Sequence, residues 1–484
     1  MSERLAGLRL IRQRVFPLAL VALAVVARVF ALGREGLWLD EISSVNWARL
    51  SLSDLIPTLI TQDVHPPLYF FLLHFWVQLV GHSEFAVRMF SALAGGLTVP
   101  VLYRIGRMTF GARAGGLAAL LLALSQFHVH YSQETRAYSL FTLLTTLSFY
   151  LLLRWQTNRT APLAAAYGVT SALVLYTHTY GFFVLAAHNL GWLIGFARMG
   201  TRAPAPLRQW ALMQVSVLIL YLPWGGILIG KVSQADCFYC VEPSLASLIT
   251  FFYYYLGSPW AFGLALAGLA VRGYEAARAR LLKAATASPE AAPPVGGFWL
   301  TGVWMMSLHA WPLLLSVVFT PIYLSRATLP ALPAFLLLLI GAIAGIRLRV
   351  LRLGLIAALI VAHLATLLGY YGLVIRQQWR EMGQRISAEA RPGDLVLLYP
   401  GYAEVGFDYY TTRADLRRVA LADDAIASAS EARALIGQAG RVWLVTLERP
   451  EAVAQIETLL APTYRRVLAQ SYVGLDVLLL EKAP

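Results

Sequence analysis

The chain has 484 residues, of which 58% are hydrophobic and only 13% are charged. A soluble globular protein carries about 25% charged residues, so the composition excludes an ordinary soluble domain and predicts a protein with many membrane spans. The formal net charge is +13, but the basic residues recur in short clusters between apolar runs. That distribution is typical of the positive-inside rule for membrane proteins, and no nucleic-acid partner is expected.

The N-terminal sequence MSERLAGLRLIRQRVFPLALVALAVVARVFALG combines a basic flank with a long apolar run. No small-residue cleavage site follows that run, so we expect a retained signal anchor rather than a removed signal peptide. The N-terminus is therefore predicted to lie in the cytoplasm, and the chain is predicted to reside in the plasma (inner) membrane.

The second apolar run, PPLYFFLLHFWVQLVG over 66–81, decides the predicted topology. If it crossed the membrane, the basic cluster RIGRMTFGAR at 104–113 and four later basic clusters would fall on the outer side. If it lies on the outer surface, all five clusters face the cytoplasm, as the positive-inside rule requires. We therefore predict that residues 33–85 form an outer loop that contains juxtamembrane helices.

A membrane-spanning helix needs roughly 20 apolar residues, and about eleven suitable runs follow from this topology. They are predicted at 14–32, 86–104, 114–130, 137–154, 162–178, 181–197, 209–229, 247–271, 298–319, 327–346 and 353–374. Residues 1–375 are accordingly predicted to form an all-α, polytopic transmembrane domain that carries the chemistry.

The two cysteines, Cys237 and Cys240, form a C-x-x-C pair in the predicted outer segment 230–246. No second pair completes a four-ligand site, so a zinc site made of cysteines alone is not expected. A short-loop disulfide is the favoured interpretation of an extracytoplasmic pair, with a redox role as an alternative. The sequence leaves the state of these two thiols open.

The last hundred or so residues differ in character from the rest of the chain. The segments GDLVLLYP, RVWLVTLE and VGLDVLLLEK predict short buried strands, and ADDAIASASEARALIGQA predicts an amphipathic helix between them. Residues 376–484 are thus predicted to form a small α/β domain on the extracytoplasmic side. The domain has no glycine-rich phosphate loop, so nucleotide binding is not expected.

With this topology, acidic, histidine and arginine side chains gather in the short outer segments. They are Asp40 and Glu41, Asp63 and His65, Glu134 and Arg136, His178, and Arg326. Each also has a structural interpretation, such as a solvated loop charge, the start of a surface helix or an interfacial ion pair, and His128 and His130 are interpreted as structural. The clustering on one side favours a functional site, because the inner loops carry almost only positive charge.

These residue types suit transfer of a group from a lipid phosphate. The leaving phosphate gains negative charge near the membrane surface, and arginine or histidine side chains can stabilise that charge. A carboxylate can orient or deprotonate the hydroxyl that attacks. The two prolines after His65 would fix the start of a surface helix and hence the position of that histidine.

Several segments in order carry a resemblance to a known family: LWLDEISS, HPPLYFFLLHFW, FAVRMFSALAGGLTVPVLYRIGRMTFG, YSQETRAYSL and LPALPAFLLL. They resemble the GT-C glycosyltransferases of the protein O-mannosyltransferase type, family 39, in its bacterial branch with the aminoarabinose transferases. The resemblance covers about residues 15–345 and is most specific over 36–140. It implies the GT-C fold, a polyprenyl monophosphate sugar as donor and no metal or other cofactor.

The resemblance also implies roles for individual residues. Asp40 is expected to be the catalytic base with Glu41 as its neighbour, and His65 and Arg136 are expected at the donor phosphate. Arg326 is a further candidate for the phosphate. The substrate-binding candidates are Asp63, Glu134 and His178.

Two departures limit what the resemblance implies about the acceptor. Nothing in the sequence encodes the β-trefoil insertion of the eukaryotic protein mannosyltransferases, so a protein acceptor is not implied. Relatives that modify lipid A carry lysine before the Pro-Pro pair, whereas this chain has His65, which argues against aminoarabinose transfer. The acceptor is therefore expected only to bear a hydroxyl group, on a lipid, a glycan or a protein.

Two alternatives remain beside an inverting, polyprenyl-phosphate-dependent glycosyltransferase. An oligosaccharyltransferase-like or arabinosyltransferase-like enzyme is the nearer one, but no W-W-D acceptor motif is found. A lipid or solute transporter or flippase is the other, and it would place polar residues at mid-span. Few are predicted there: Gln214 and Ser216 are isolated, and His309 and His363 are single.

Overall fold

The structure is a computed structural model that describes residues 2–62, 65–198, 204–232, 244–283, 297–421, 436, 439–447 and 450–483. The chain divides into two compact units. The helical unit comprises Met1–Ala31, Leu50–Leu79 and Arg88–Gly372. The α/β unit comprises Leu32–Arg49, Val80–Val87 and Leu373–Pro484.

Helices account for nearly all of the chain up to residue 372. They are α1 (Ser2–Val29), α2 (Leu39–Ala48), α3 (Leu52–Gln62), α4 (Leu68–Val80), α5 (Glu84–Thr109), α6 (Ala112–Leu124), α7 (Gln126–Ser132), α8 (Tyr138–Thr157), α9 (Ala161–Thr177), α10 (Gly181–Arg198), α11 (Pro204–Val232), α12 (Leu245–Leu256), α13 (Pro259–Lys283), α14 (Gly297–Val318), a 3-10 helix (Ser325–Ala331), α15 (Leu332–Ala344) and α16 (Arg349–Gly372). The all-α architecture predicted for this region is confirmed.

Five helices in the described part of the chain are long and apolar enough to cross a membrane. They are Glu84–Thr109, Pro206–Gly230, Phe298–Val318, Ser325–Ala344 and Arg349–Gly372. Two bent pairs, α6 with α7 and α12 with α13, raise that number to seven if each pair is one span. The other predicted spans correspond to helices in the structure, and the total of eleven stays a prediction.

The predicted span at 247–271 is not one straight helix. The chain turns by 106° between α12 and α13, where Gly257 adopts a left-handed backbone with φ of +75°. A residue with a side chain is strained in that conformation, and Pro259 then starts α13 with its fixed φ. The sequence prediction missed this break because the long apolar runs on both sides of Gly257-Ser258-Pro259 read as one span, although these three residues are a turn signal.

Helix α4 corresponds to the apolar run that was predicted to lie on the membrane surface. It contains 13 residues, and at about 1.5 Å per residue it is roughly 20 Å long, which is shorter than the hydrocarbon core of about 30 Å. Tyr69 and Leu73 on one side are buried, whereas Phe75 and Leu79 on the other side are exposed and apolar. These dimensions agree with a juxtamembrane helix.

The break between α6 and α7 is stabilised by a buried arginine from α1. The two helices meet at 58°, so the regular hydrogen bonding of the helix is interrupted for the carbonyls at the end of α6. Arg28 is fully buried and donates to the carbonyls of Leu122 and Ala123 at 3.3 and 3.4 Å. It also donates to Nδ1 of His128 in α7 at 2.7 Å. The structural interpretation of His128 agrees with this contact.

Gln214 and His309, which the sequence suggests are isolated, belong to buried hydrogen-bond networks. Gln214 accepts from Asn189 and donates to the Tyr167 hydroxyl, which lies 3.1 Å from His188. His309 lies between the hydroxyls of Tyr255 and Tyr323 at 3.1 and 2.9 Å. The prediction of isolated polar residues is therefore wrong, because residues far apart in sequence meet only when the helices pack.

The α/β unit contains a five-stranded sheet. Its strands are β1 (Leu395–Tyr399), β2 (Arg417–Ala420), β3 (Arg441–Leu447), β4 (Tyr464–Tyr472) and β5 (Leu475–Lys482), in the spatial order β2-β1-β3-β5-β4. Strand β1 pairs in parallel with β2 and β3, whereas β5 pairs antiparallel with β3 and β4. Helices α17 (Trp379–Glu389), α18 (Glu404–Tyr410) and α19 (Pro450–Leu460) complete the described part of this region.

The three predicted strands correspond to β1, β3 and β5, which are buried along nearly their whole length. Strands β2 and β4 were not predicted, because they lie at the edges and most of their residues are exposed or half-buried. Strand β4 also carries an irregularity in its register between Arg466 and Leu468. The predicted helix over 422–439 lies almost wholly outside the described residues.

Candidate functional site

The predicted acidic pair lies in the first turn of α2, within the α/β unit, and its two members differ in environment. Glu41 is fully buried. Its Oε2 accepts from the backbone N–H of Trp38 at 3.4 Å and lies 3.8 Å from Nε of Arg376. Arg376 also pairs with Glu35 at 3.6 Å. Glu41 therefore holds the start of α2 in place through a backbone contact and an ion pair.

Asp40 is half-buried at the same helix start. The dipole of α2 stabilises a carboxylate in its first turn. The backbone around Asp40 is held by side chains of the same unit, since Leu37 N–H donates to the Tyr410 hydroxyl at 2.7 Å and Leu39 N–H donates to Gln377 at 3.2 Å. Of the two acids, Asp40 is the more exposed to solvent, and its position is fixed through the backbone.

Tyr410 links this helix start to a further acid. Burial raises the pKa of the Tyr410 phenol well above its ordinary value, so the hydroxyl keeps its proton at neutral pH. It can then accept from Leu37 N–H while it donates to Glu84 at 3.2 Å. Sequence analysis did not single out Tyr410, because its partners lie more than three hundred residues away in the chain.

Three of the predicted site residues in the helical unit form one cluster with Tyr138, in which His178 and Arg326 contact the tyrosine and His65 contacts His178. The rings of His65 and His178 lie 5.4 Å apart, and the ring of His178 lies 6.0 Å from that of Tyr138. The guanidinium of Arg326 lies 5.7 Å from the centre of the same tyrosine ring, within cation–π range. The histidines come from the start of α4 and the end of α9, and Arg326 comes from the 3-10 helix.

Glu134 and Arg136 lie in the turn between α7 and α8, and both are buried. Glu134 Oε1 is 3.2 Å from Nε2 of His130. Its other oxygen, Oε2, is buried and has no hydrogen-bond partner among the described residues. Burying an acceptor without a partner is unfavourable by about 1–3 kcal/mol, so this oxygen marks a place where a polar ligand group would be stabilised.

The turn that carries Arg136 is fixed from two sides. The Gln133 side chain donates to the carbonyls of Arg28 and Phe30 at 3.0 and 2.8 Å, and it accepts from the Tyr370 hydroxyl at 2.9 Å. These bonds tie the turn to the ends of α1 and α16.

A second contact ties the same turn to α4. The Ser91 hydroxyl donates to the carbonyl of Arg136 at 3.3 Å and lies 3.0 Å from the hydroxyl of Tyr69. Tyr69 follows the His65-Pro-Pro segment by two residues, so Ser91 joins the two predicted phosphate-binding segments. The pattern HPPLY contains Tyr69, but it does not reveal that the hydroxyl of Ser91 is its partner.

Two tyrosines fix the backbone on either side of Arg326. The Tyr180 hydroxyl donates to the carbonyl of Ile322 at 2.6 Å and accepts from Leu324 N–H at 3.1 Å. On the other side of Arg326, the Tyr255 hydroxyl donates to the carbonyl of Thr328 at 2.7 Å. The 3-10 helix that carries Arg326 is therefore anchored before and after this residue.

The α/β unit contains an open polar cavity of about 800 Å³ at the C-terminal end of α2. Its lining combines carboxylates, basic groups, an amide, a hydroxyl and two phenol rings. The lining residues are Asn46, Arg49, His82, Ser83, Glu84, Glu404, Val405, Asp408, Tyr409 and Tyr410. Such a mixture offers both donors and acceptors to a ligand that is rich in hydroxyl groups.

The described residues hold no group of three or more His, Cys, Asp or Glu side chains arranged as metal ligands. Asp63 and the pair Cys237 and Cys240 lie outside the described residues. What the structure brings together is a set of cationic and aromatic side chains at the start of α8, with a buried acid beside it. Such a set can bind a phosphate and stabilise an increase in its negative charge.

At the level of sequence, comparison with known proteins gives one match to part of the chain. A sequence model of the family described as dolichyl-phosphate-mannose-protein mannosyltransferase matches residues 64–225. No curated protein matches the chain.

Solved structures match nearly the whole chain. The crystal structure of ArnT from Cupriavidus metallidurans in the apo state is similar with a TM-score of 0.62 and 16% identity, over 96% of this chain and 97% of that chain. The same protein bound to undecaprenyl phosphate matches over the same shares with a TM-score of 0.60 and 16% identity. The oligosaccharyltransferase of Archaeoglobus fulgidus matches with a TM-score of 0.55 and 12% identity, over 95% of this chain and 72% of that chain. The predicted GT-C fold is confirmed.

Proposed function

We propose that this chain is a membrane glycosyltransferase that moves a sugar from a polyprenyl monophosphate to a hydroxyl acceptor. The observation that carries the proposal is the cluster in which His178 and Arg326 contact Tyr138 and His65 contacts His178. The similarity of the fold to that of ArnT, which has been crystallised with undecaprenyl phosphate, supports a lipid phosphate as the ligand of this cluster.

The proposed reaction explains why cations are needed at the donor. The acceptor oxygen forms a bond to the anomeric carbon while the bond from that carbon to the phosphate oxygen breaks. The phosphate thereby changes from a diester with one negative charge to a monoester with up to two. Arg136, Arg326 and His65 stabilise the added charge, and the first turn of α8 contributes backbone N–H groups of the kind that bind phosphates.

We propose Asp40 as the base that takes the proton of the acceptor hydroxyl. A single displacement with inversion requires only one such group on the acceptor side. Glu41 holds the start of α2 through Trp38 and Arg376, so its proposed role is to position Asp40. Glu134 and His178, together with Asp63 from outside the described residues, are proposed to bind the substrates.

The polar cavity at the C-terminal end of α2 supports a polyhydroxylated acceptor, such as a glycan or a glycolipid headgroup. Asn46 lies six residues after Asp40 on this helix, which corresponds to about 9 Å along the helix axis. Carboxylates and tyrosine rings beside each other bind sugar hydroxyls and sugar faces respectively. The proposed site of action is the outer face of the plasma membrane, with a cytoplasmic N-terminus.

The buried polar networks argue against a transporter. In the network around Gln214, both nitrogens of His188 and both polar atoms of the Gln214 side chain have protein partners. A solute pathway needs polar groups that can bind the solute in place of protein. These groups are instead engaged in helix packing, so we favour the enzyme.

The function can be tested with purified full-length protein and synthetic polyprenyl phosphates. We expect undecaprenyl phosphate to bind, and Arg326→Gln to weaken binding about 10- to 100-fold through loss of charged hydrogen bonds. Arg347→Gln is a matched control, because Arg347 is exposed and its contact to Glu275 is made through its backbone. Equal binding by the two variants would contradict the assignment of the phosphate site.

Turnover is measured with a panel of short-chain polyprenyl phosphate sugars and cell-envelope extracts as the acceptor source. Release of the lipid phosphate, followed by chromatography, reports the reaction whatever the acceptor is. Uptake of an intact lipid or solute into vesicles without such release would instead support the transporter alternative.

A further inference from the structure

A second basic site lies at the end of α8 that is remote from the donor cluster. A cavity of about 350 Å³ is lined by Arg104, Arg107 and Met108 from α5 and by Tyr150, Arg154 and Thr157 from α8. Three of its six lining residues are arginines, and none is a carboxylate. Nothing in the proposed reaction uses these residues.

The distance along α8 separates this cavity from the proposed donor site. Tyr138 begins α8 and Arg154 lies in its last turn, so about 24 Å of helix lie between them. That length is comparable with the hydrocarbon core of a bilayer, about 30 Å. Helix α8 is the predicted span 137–154, and α5, which carries Arg104 and Arg107, is long and apolar enough to cross a membrane. With that topology, a ligand at Arg154 lies near the membrane surface opposite to the one at which Tyr138, His178 and Arg326 meet.

Within the described part of the chain, no ion pair balances the positive charges of this cavity. Among the described residues, no carboxylate oxygen lies within 4.0 Å of a guanidinium nitrogen of Arg104, Arg107 or Arg154. Like charges that share a cavity repel each other. An anion bound between the arginines removes that repulsion and replaces it with attraction.

One of the three arginines is already oriented. Nη1 of Arg154 donates to the Tyr150 hydroxyl at 3.0 Å, and its guanidinium lies 5.9 Å from the centre of the same ring. Arg154 is half-buried, whereas Arg104 and Arg107 are exposed at the cavity rim. Because the planar guanidinium of Arg154 is already held in place, less conformational entropy is lost when two of its nitrogens bind a phosphate.

We propose that this cavity binds the phosphate of an anionic phospholipid, with phosphatidylglycerol and cardiolipin as the lipid class. Basic pockets between membrane helices near the surface bind such headgroups. Met108 and the ring of Tyr150 provide apolar surface for the glycerol and the first acyl carbons, which free inorganic phosphate does not need. The site is independent of the donor site and does not rest on the proposed transferase activity.

The proposal is tested by native mass spectrometry of the full-length protein with added phosphatidylglycerol or phosphatidylcholine. We expect phosphatidylglycerol to be retained in preference to phosphatidylcholine. Combined substitution Arg104→Gln, Arg107→Gln and Arg154→Gln should weaken its binding about a hundredfold, since each cation close to an anionic lipid contributes about fivefold.

The matched control removes the same charge from exposed arginines outside the cavity: Arg113→Gln, Arg159→Gln and Arg208→Gln. If anionic lipid is held only by diffuse attraction to a basic surface, both triple variants should lose phosphatidylglycerol binding equally. That result would overturn the proposal. If the cavity triple variant does not fold, Arg107→Gln alone provides the test, because Arg107 is exposed. Its expected effect is a loss of about fivefold, and unchanged binding would again overturn the proposal.

A last comparison distinguishes a lipid from a free phosphate. Thermal unfolding is measured with inorganic phosphate alone, with short-chain phosphatidylglycerol and with short-chain phosphatidylcholine at equal concentrations. We expect stabilisation by phosphatidylglycerol only, and the stabilisation should be lost in the cavity variant. Equal stabilisation by inorganic phosphate would show a site for small anions and overturn the lipid assignment.

Discussion

The rings of His65 and His178 lie edge to face, 5.4 Å apart, although one histidine precedes α4 and the other ends α9. Two imidazoles at this distance, with the Arg326 guanidinium 5.7 Å from the centre of the Tyr138 ring, bring ring nitrogens and a cation together at the start of α8. The arrangement suits a ligand that changes its own charge during the reaction, as a departing lipid phosphate does.

Replacing Asp40 should separate chemistry from binding. We expect Asp40→Asn to lower turnover by about 10²- to 10⁴-fold, the usual contribution of a general base, while donor binding and folding are retained. Glu41→Gln should instead lower the thermal stability, because Glu41 is buried beside Arg376. Turnover and thermal unfolding are measured for both variants, and near-normal turnover of Asp40→Asn would remove Asp40 from the mechanism.

The two arginines proposed at the phosphate should not tolerate lysine. A lysine keeps the charge but loses the planar group that grips two oxygens, so Arg136→Lys and Arg326→Lys should weaken undecaprenyl phosphate binding about 10-fold or more. Arg136→Ala should weaken undecaprenyl phosphate binding more than Arg136→Lys does, because it also removes the charge. Retention of donor affinity and rate by Arg136→Lys would transfer the phosphate role to His65 and Arg326.

Loss of the Arg28 side chain should loosen the break between α6 and α7, and α7 leads into the turn that carries Arg136. Arg28→Leu removes the hydrogen bonds to the Leu122 and Ala123 carbonyls, and a buried acceptor that loses its partner destabilises the fold by about 1–3 kcal/mol. We expect a lower unfolding temperature in detergent together with weaker donor binding. Arg113→Leu, an exposed substitution at the start of α6, is the control. A stability equal to that of the control would show that the helix break does not depend on Arg28.

The hydroxyl of Tyr410 should matter for rate rather than for donor affinity. Tyr410→Phe leaves Leu37 N–H without its acceptor and Glu84 without its donor, so the start of α2 becomes less well fixed. We expect kcat to fall severalfold with unchanged undecaprenyl phosphate binding. Tyr409→Phe is the neighbouring control, since the Tyr409 hydroxyl contacts the His82 carbonyl at 3.4 Å, whereas Leu37 N–H donates to Tyr410. Parallel effects in the two variants would argue against this role.

The predicted topology places residues 376–484 outside the cytoplasm. A reporter that is active only in the periplasm should therefore be active when fused after residue 484, and a cytoplasmic reporter should be inactive. A reporter fused in the 104–113 loop should show the opposite pattern, because its arginines are predicted to stay inside. If the cytoplasmic reporter is active in the C-terminal fusion, the predicted odd number of membrane spans is wrong.

The sequence supports the fold class and the identity of most candidate residues, because hydropathy and charge are local properties of a membrane chain. It does not show that Glu41 is buried and Asp40 only half-buried, since Arg376, the ion-pair partner of Glu41, lies far along the chain. Tyr138 was likewise overlooked: a tyrosine in a span-like segment carries no sign of His178 and Arg326, which contact it in the fold. The bend at Gly257 has a local signal in Gly257-Ser258-Pro259, but the long apolar runs on both sides of it favour one continuous span.

The two edges of the sheet in the α/β unit share one property. Strand β2 begins with Arg417 and Arg418, and β4 carries Arg465 and Arg466 just before its irregular register. Adjacent charges and a bulge on an edge strand hinder further strands from pairing with it. The two edge strands are therefore protected against pairing with strands of other chains, which is the contact that starts edge-to-edge aggregation.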